Sequence, residues 1–402
     1  VGSLDVNGDQ KIDSDDQKIL ADISVAALGA LNAKPSAIQV PLYGGIGSKS
    51  HADLLSAVVQ VGDTWDLSKY DTDTLRALAV EARWLASQVR LVLSLKIVPD
   101  FKTPLAGLLN AAFPGYSHDS MQPKSVCEAV QLLDAKALKA NGFPLTAVFD
   151  LDNTVWDGHG IDYFLAALVE SGKIKPEAQD AMVEALAKLP GMDVEVLRKR
   201  SVQENAAMVL KRTTDATLPK ESKLNRKDGF YLVSAMLKGM TPGDAYEVGE
   251  AAMTQSSAHF GPLEAKFFDD PSGCSMRRIV GQLRSAGFQI YLISAGLDVL
   301  VKVAGDMLGI GQEYRLGSIL EVHNDKYTGK VESTYMLKGS IVRDWLQAPA
   351  YLAFGDSATS DIPFMLDAAG PAFMINPGDR FKKKDQDKAQ GRFVEVRYGG
   401  VE

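Results

Sequence analysis

The chain has 402 residues, 46% hydrophobic and 23% charged, with a formal charge of −8. Its length and apolar content support a sizeable core in two or three structural units. The acidic balance, with a pI near 5.3 and no basic run beyond Arg380 to Lys384, argues against a nucleic-acid partner. No stretch reaches the roughly 18 uninterrupted apolar residues of a membrane span; the apolar section 75–98 carries arginines, a lysine and a glutamate at amphipathic helical spacing. Cys127 and Cys274 fit no metal-ligand spacing and read as two buried free thiols, a single disulfide being the alternative in an exported protein. The first residue is Val1, so the chain reads as a mature or trimmed form.

At the N-terminus, the stretch DVNGDQKIDSDD sets Asp5, Asn7, Asp9, Asp13 and Asp16 at loop positions one, three, five, nine and twelve. A hard cation needs several oxygens converging from a tight turn; Lys11 adds a backbone carbonyl, and Ile12 anchors the loop on an apolar surface. The stretch resembles a single dockerin-type calcium loop, an EF-hand variant. Gln10 stands where a glycine usually turns the chain, and no second copy follows, so a cohesin partner is not expected. The resemblance implies a structural calcium ion on Asp5, Asn7, Asp9, Lys11 and Asp16, and an extracytoplasmic (periplasmic or secreted) setting where calcium is plentiful. Residues 29–50 are rich in Gly, Ala, Pro and Ser and read as a linker. A helical region is expected over about 52–139.

Residues 146–151, TAVFDL, read as a central parallel strand covered on both faces, with the polar group Asp152, Asn153 and Thr154 at its carboxyl end. Open α/β sheets bind ligands at such ends. Two aspartates flanking one residue let Asp150 attack while Asp152 shuttles a proton. Two further strands are expected downstream. The run 288–294 ends at Ser294, followed by Ala295, Gly296 and a helical pattern over 297–308, whose first amides would hold an anion together with Ser294. The run from Tyr351 reaches Gly355, with Asp356 and Asp361 beyond it, and Lys338 lies between the two as a cation for a transferred group.

The set DLDNT (150–154), ISAG (293–296), LKGS (337–340) and GDSATSD (355–361) resembles the four motifs of the haloacid dehalogenase superfamily of phosphotransferases, in the same order over roughly 144–377. DKYTGKV (325–331) is similar to the phosphoserine phosphatase branch, which also holds phosphorylcholine phosphatases. The resemblance implies a Rossmann-like three-layer α/β core with a parallel sheet, an inserted helical cap and a helical N-terminal region. It implies an aspartyl phosphate on Asp150, with Asp152 as general acid and base. Ser294, Ala295, Lys338 and Asn153 would bind phosphoryl oxygens, and magnesium would be held by Asp150, the Asp152 carbonyl, Asp356 and Asp361. An aspartate at position 152 favours ester hydrolysis over dehalogenation, because an alcohol leaving group needs a proton.

The expected divisions are 1–28 for the calcium-loop segment, 29–140 for the linker and helical region, 141–157 with 271–402 for the core, and 158–270 for the cap. Helical patterns cover 162–171, 176–188, 194–211 and 242–256. A lid there would exclude water and read the leaving group. Candidate readers are Trp156, His159, Asp162 and Tyr163, which directly follow the nucleophile loop, with Arg226 and Lys227 as weaker ones; core packing is the alternative for Trp156 and Tyr163. Phosphoserine phosphatases carry an acidic residue where this chain has His159, while Trp156, Tyr163 and Asp162 suit a choline-type ammonium. The activity expected is magnesium-dependent hydrolysis of a small phosphomonoester. A phosphotransferase or mutase on the same fold, or a noncatalytic calcium-stabilised surface protein, are the alternatives.

Overall fold

A computed structural model describes residues 14–32, 59–61, 64–68, 75, 78, 82, 126–127, 130–131, 133, 135–140, 145–224, 226–269, 273–333, 338–339, 342, 346, 350–357, 360–366, 368, 370–376 and 393–398. Helix Ser14–Asn32 comes first, followed by a two-stranded hairpin of β1 (Val59–Val61) and β2 (Thr64–Asp66). The hairpin's residues fall inside the region expected to be helical, which corrects that expectation: Val59, Val61 and Thr64 in a short run around Gly62 and Asp63 favour extended pairing. The seven remaining strands are β3 (Thr146–Phe149), β4 (Gln289–Leu297), β5 (Arg315–His323), β6 (Lys326–Ser333), β7 (Leu352–Gly355), β8 (Ala372–Ile375) and β9 (Phe393–Val396). They form one sheet in the order β6-β5-β4-β3-β7-β8-β9. The pairs β3–β7, β4–β5, β7–β8 and β8–β9 are parallel, and β5–β6 is antiparallel. This is the mostly parallel α/β sheet that the apolar strand runs foretell.

By internal contacts the chain forms two units, one of Val1–Phe149, Asp269–Ile290 and Leu337–Glu402, the other of Asp150–Phe268 and Tyr291–Met336. In the first, β3, β7 and β8 carry a stack of phenylalanines. Phe149 lies opposite Phe354, and Phe354 opposite Phe373. Their rings stack at 4.1 Å and 4.7 Å between centroids, and all three are fully enclosed. Each contributes about 1.5–3 kcal/mol by leaving water, so the strand tips directly beyond them stand on a stiff base. Cys127 and Cys274 are joined by a disulfide in this unit, which corrects the reading as free thiols. Pairing across so long a stretch of chain depends on how the fold brings two elements together, and spacing does not carry that information.

The second unit holds the helices Gly160–Glu170, Gln179–Ala187, Val194–Lys199, Val202–Thr214, Arg226–Met236, Pro242–Thr254 and Asp298–Leu308 with β5, β6 and most of β4. The pattern read as one helix over 194–211 is two helices. Ser201 starts the second with a capping box, its hydroxyl accepting from the Glu204 amide while Glu204 accepts from the Ser201 amide. Helix Arg226–Met236 falls outside the expected patterns, because its apolar residues crowd into its second half. Helix Gly160–Glu170 buries six consecutive residues, Tyr163 to Leu168, as expected of a segment covered on all sides. The β5–β6 turn places Asn324 and Asp325 at φ of 49° and 58°, the left-handed pair that suits a tight hairpin. β6 forms an edge of the sheet, and the backbone there is covered: Gly239 N–H donates to the Tyr327 carbonyl and Tyr327 N–H to that of Met240.

Candidate active site

Asp150 is the residue after β3 and Asp356 the residue after β7. Because these strands pair in parallel with Phe149 opposite Phe354, both aspartates follow carboxyl ends of the sheet. Asp150, Asp356 and Asp361 offer oxygens that all lie within 4.8 Å of one another, and Asp150 and Asp361 are buried. Three carboxylates at this separation repel strongly unless a cation or several donors compensate them.

Asp361 has its donors in place. Its Oδ1 accepts from Lys338 Nζ at 2.8 Å and from Ser360 Oγ at 3.0 Å. Its Oδ2 accepts from the backbone N–H groups of Asp356 at 3.0 Å and Ser357 at 2.9 Å. Four donors match the roughly four lone-pair sites of a carboxylate. Burial pushes the carboxyl group up, but the Lys338 charge, its hydrogen bond and the two amides outweigh that and hold it below the ordinary aspartate range. Gly355 makes the approach possible: a Cβ there would sit 2.7 Å from Asp361 Cβ, closer than packing allows.

The loop after Asp150 turns at once. The amides of Thr154 and Val155 donate to the Leu151 carbonyl, Asn153 takes a left-handed φ of 57°, and Asn153 Oδ1 accepts from the Gly158 amide at 3.0 Å. Thr154 Oγ1 donates to Asp150 Oδ2 at 3.4 Å. Asp152 is held on one side: Oδ1 accepts from Trp156 Nε1 at 3.0 Å and from the Gly160 amide at 2.9 Å, while Oδ2 lies 3.9 Å from His159 Nδ1.

Among the residues read as substrate readers, Trp156 is 1% exposed and stands edge-on to Phe267 at 5.6 Å. His159 is about a third exposed, and the Asp162 amide donates to the His159 carbonyl. Tyr163 lies against Phe260 at 4.8 Å; burial, then Asp157 and Asp162, push its phenol up. Arg226 and Lys227 sit at the start of helix Arg226–Met236, and their side chains lie outside the described residues. So do Asp5, Asn7, Asp9, Lys11 and Asp13; Asp16 is buried at the start of helix Ser14–Asn32.

Ser294 differs in its setting from the expectation of a strand end. β4 continues through Leu297, and helix Asp298–Leu308 starts after it. Ile293 pairs with Leu316 and Leu297 with Ser318, so Ser294, Ala295 and Gly296 bulge opposite Gly317 alone. Ser318 Oγ donates to the Ala295 carbonyl at 2.9 Å, and Ser294 Oγ accepts from the Gly296 amide at 3.0 Å. Sequence reasoning missed the roles of Trp156 as a donor, Ser360 and Ser357 on Asp361, and Ser318 on the bulge. The four-residue spacing from Asp152 to Trp156 was a usable signal; Ser318 reaches the bulge only through strand register.

A family model for haloacid dehalogenase-like hydrolases matches residues 147–366, more than half of the chain, and the chain belongs to that family. No curated protein matches the chain. Among solved structures it is similar to a protein of unknown function from Bordetella pertussis Tohama I, at 17% identity and a TM-score of 0.40, covering 62% of this chain and 97% of that one. A functionally unknown protein from Anaerococcus prevotii DSM 20548 gives 15% identity and a TM-score of 0.41, covering 65% and 91%. A probable phosphoserine phosphatase from Vibrio cholerae gives 20% and 0.31, covering 66% and 68%.

Proposed function

We propose that the chain is a magnesium-dependent hydrolase of a small phosphomonoester that works through an aspartyl phosphate. The observation that carries this reading is the gathering of Asp150, Asp356 and Asp361 within 4.8 Å in a chain of this hydrolase family. The donor set fits a hard divalent ion, since it is made of carboxylate oxygens. With Asp361 engaged by four donors, Asp150, Asp356 and the Asp152 carbonyl would be the ligands, and Asp361 would shape the Asp356 loop and orient Lys338. When bound, magnesium supplies the positive charge that lets an anionic nucleophile meet an anionic substrate.

Asp150 attacks phosphorus; the ester P–O bond breaks with its electron pair on the leaving oxygen, and Asp152 gives that oxygen its proton. In the second half Asp152 takes a proton from water, the water oxygen bonds to phosphorus, and phosphate leaves Asp150. Ser294, Ala295, Lys338 and Asn153 bind the phosphoryl oxygens in this reading. The helical segment 158–270 acts as the cap, and with Trp156 enclosed, substrate selection falls to His159 and Asp162. A panel of phosphorylated metabolites, including phosphoserine and phosphocholine, tests the activity: phosphate release that needs magnesium and is lost in Asp150→Asn, with folding intact, is expected. Turnover by Asp150→Asn, or no release from any ester, would overturn it.

The location proposed is extracytoplasmic, supported by the Cys127–Cys274 disulfide; recovery of the native protein in the cytosolic fraction would refute it. A structural calcium ion on the 5–16 loop is proposed on residue spacing.

A further inference from the structure

We propose that Trp156 is a positioning residue for the general acid: its indole N–H pins one carboxylate oxygen of Asp152, so that the proton is carried and delivered by the other. This rests on the hydrolase reading above. Trp156 is 1% exposed and its Nε1 donates to Asp152 Oδ1 at 3.0 Å, beside the Gly160 amide at 2.9 Å on the same oxygen. An indole nitrogen only donates, and so does a backbone amide. Both partners therefore favour Oδ1 as an acceptor, which leaves Oδ2 as the site of protonation. That oxygen faces His159 Nδ1 across 3.9 Å.

The geometry around the pinned oxygen is fixed. The ring of Trp156 stands edge-on to Phe267, the two residues bridge through their backbones, and the Phe268 amide donates to the Val155 carbonyl. A Cβ on Gly160 would lie 3.3 Å from Asp152 Oδ1, from Trp156 Cζ2 and from Leu300 Cδ1, so the lack of a side chain at 160 leaves the Oδ1 side uncrowded for both donors. Packing alone accounts for a buried aromatic ring at 156. It does not account for an indole whose one polar atom is spent on the carboxylate two residues from the nucleophile.

During phosphoryl transfer the P–O bond to the leaving group breaks with its electron pair on oxygen. Asp152 Oδ2 gives up its proton to that oxygen and becomes a carboxylate still bonded at Oδ1. An ester with a weakly basic leaving group departs without that proton; an alkyl ester needs it. The test replaces Trp156 with phenylalanine and, separately, with its benzothiophene isostere, which keeps the bicyclic ring and loses the N–H. kcat/KM is measured on alkyl and nitrophenyl phosphates spanning a range of leaving-group basicity. Both variants are expected to lose roughly 10- to 100-fold on the alkyl ester, a part of what a positioned acid supplies, and less than about threefold on the nitrophenyl ester. The same fractional loss on every ester, or unchanged rates for the isostere, would overturn the proposal. Wild-type protein inactive on all esters would instead sink the hydrolase reading itself.

Discussion

Asp361→Asn is the substitution whose consequence the structure defines most sharply. Asp361 is fully buried and its Oδ1 meets Lys338 Nζ at 2.8 Å, with the lysine side chain 3% exposed. An asparagine retains one oxygen for the amides of Asp356 and Ser357, and turns its NH2 toward Lys338 and Ser360, both of which donate to the carboxylate. The buried ammonium then loses its Asp361 partner and faces a donor in its place. Breaking a buried pair by removing one partner costs about 3–5 kcal/mol, which corresponds to roughly 6–20 °C in melting temperature for a unit of a couple of hundred residues. Acid adds a second signature. The folded carboxyl group is held below its unfolded value, so its contribution is present above the unfolded pKa and is lost as pH falls through the lower folded one. Wild-type stability should therefore fall below about pH 4 through this group, and that component should be missing in Asp361→Asn. Calorimetric melts of wild type, Asp361→Asn, Lys338→Met and the double variant supply the check. The double variant should regain part of the loss, because it no longer sets a buried ammonium against a donor. A single variant melting within 2 °C of wild type, or a double variant no more stable than Asp361→Asn, would refute the reasoning.

Reducing the Cys127–Cys274 bond should lower the melting temperature, since it closes a separation of 147 residues and chain entropy alone allows about 5 kcal/mol at that length; an unchanged melt with two titratable thiols present would count against it. A calcium-selective chelator should lower thermal stability while leaving magnesium-dependent turnover in place, and an identical melting curve with and without the chelator would remove the ion from the 5–16 loop.

What could be read from the chain, and what could not, follows from the range of the interactions concerned. β3 was legible because three apolar residues precede an aspartate, a purely local pattern, and Asp356 and Asp361 were legible for the same reason after β7. Ser294 was found as a residue but placed in the wrong setting: local signals end the strand at the hydroxyl, whereas pairing with β5 carries it through a bulge to Leu297. The break between Lys199 and Val202 had a local signal in Ser201 and Glu204, outweighed by the longer helical period on either side. The disulfide and the Ser318 contact had none, because each depends on which distant element arrives alongside.

The donor geometry also separates residue types that the sequence treats alike. Asp361 and Asp152 are both aspartates beside a strand tip, yet they differ in how their oxygens are used. Asp361 receives donors on both oxygens, from a lysine, a serine and two amides; a carboxylate used in this way is anchored and poorly suited to exchanging a proton or entering a metal's inner sphere. Asp152 receives two donors on Oδ1, an asymmetry that orients the group and leaves Oδ2 with His159 Nδ1 at 3.9 Å, as the proposed proton-transfer role requires. Role assignment within the four-aspartate set therefore depends on the number and placement of donors, a quantity set by Gly355, Gly160 and Trp156 as much as by the aspartates. Substitutions at those three supporting positions should alter function while every acidic residue stays in place.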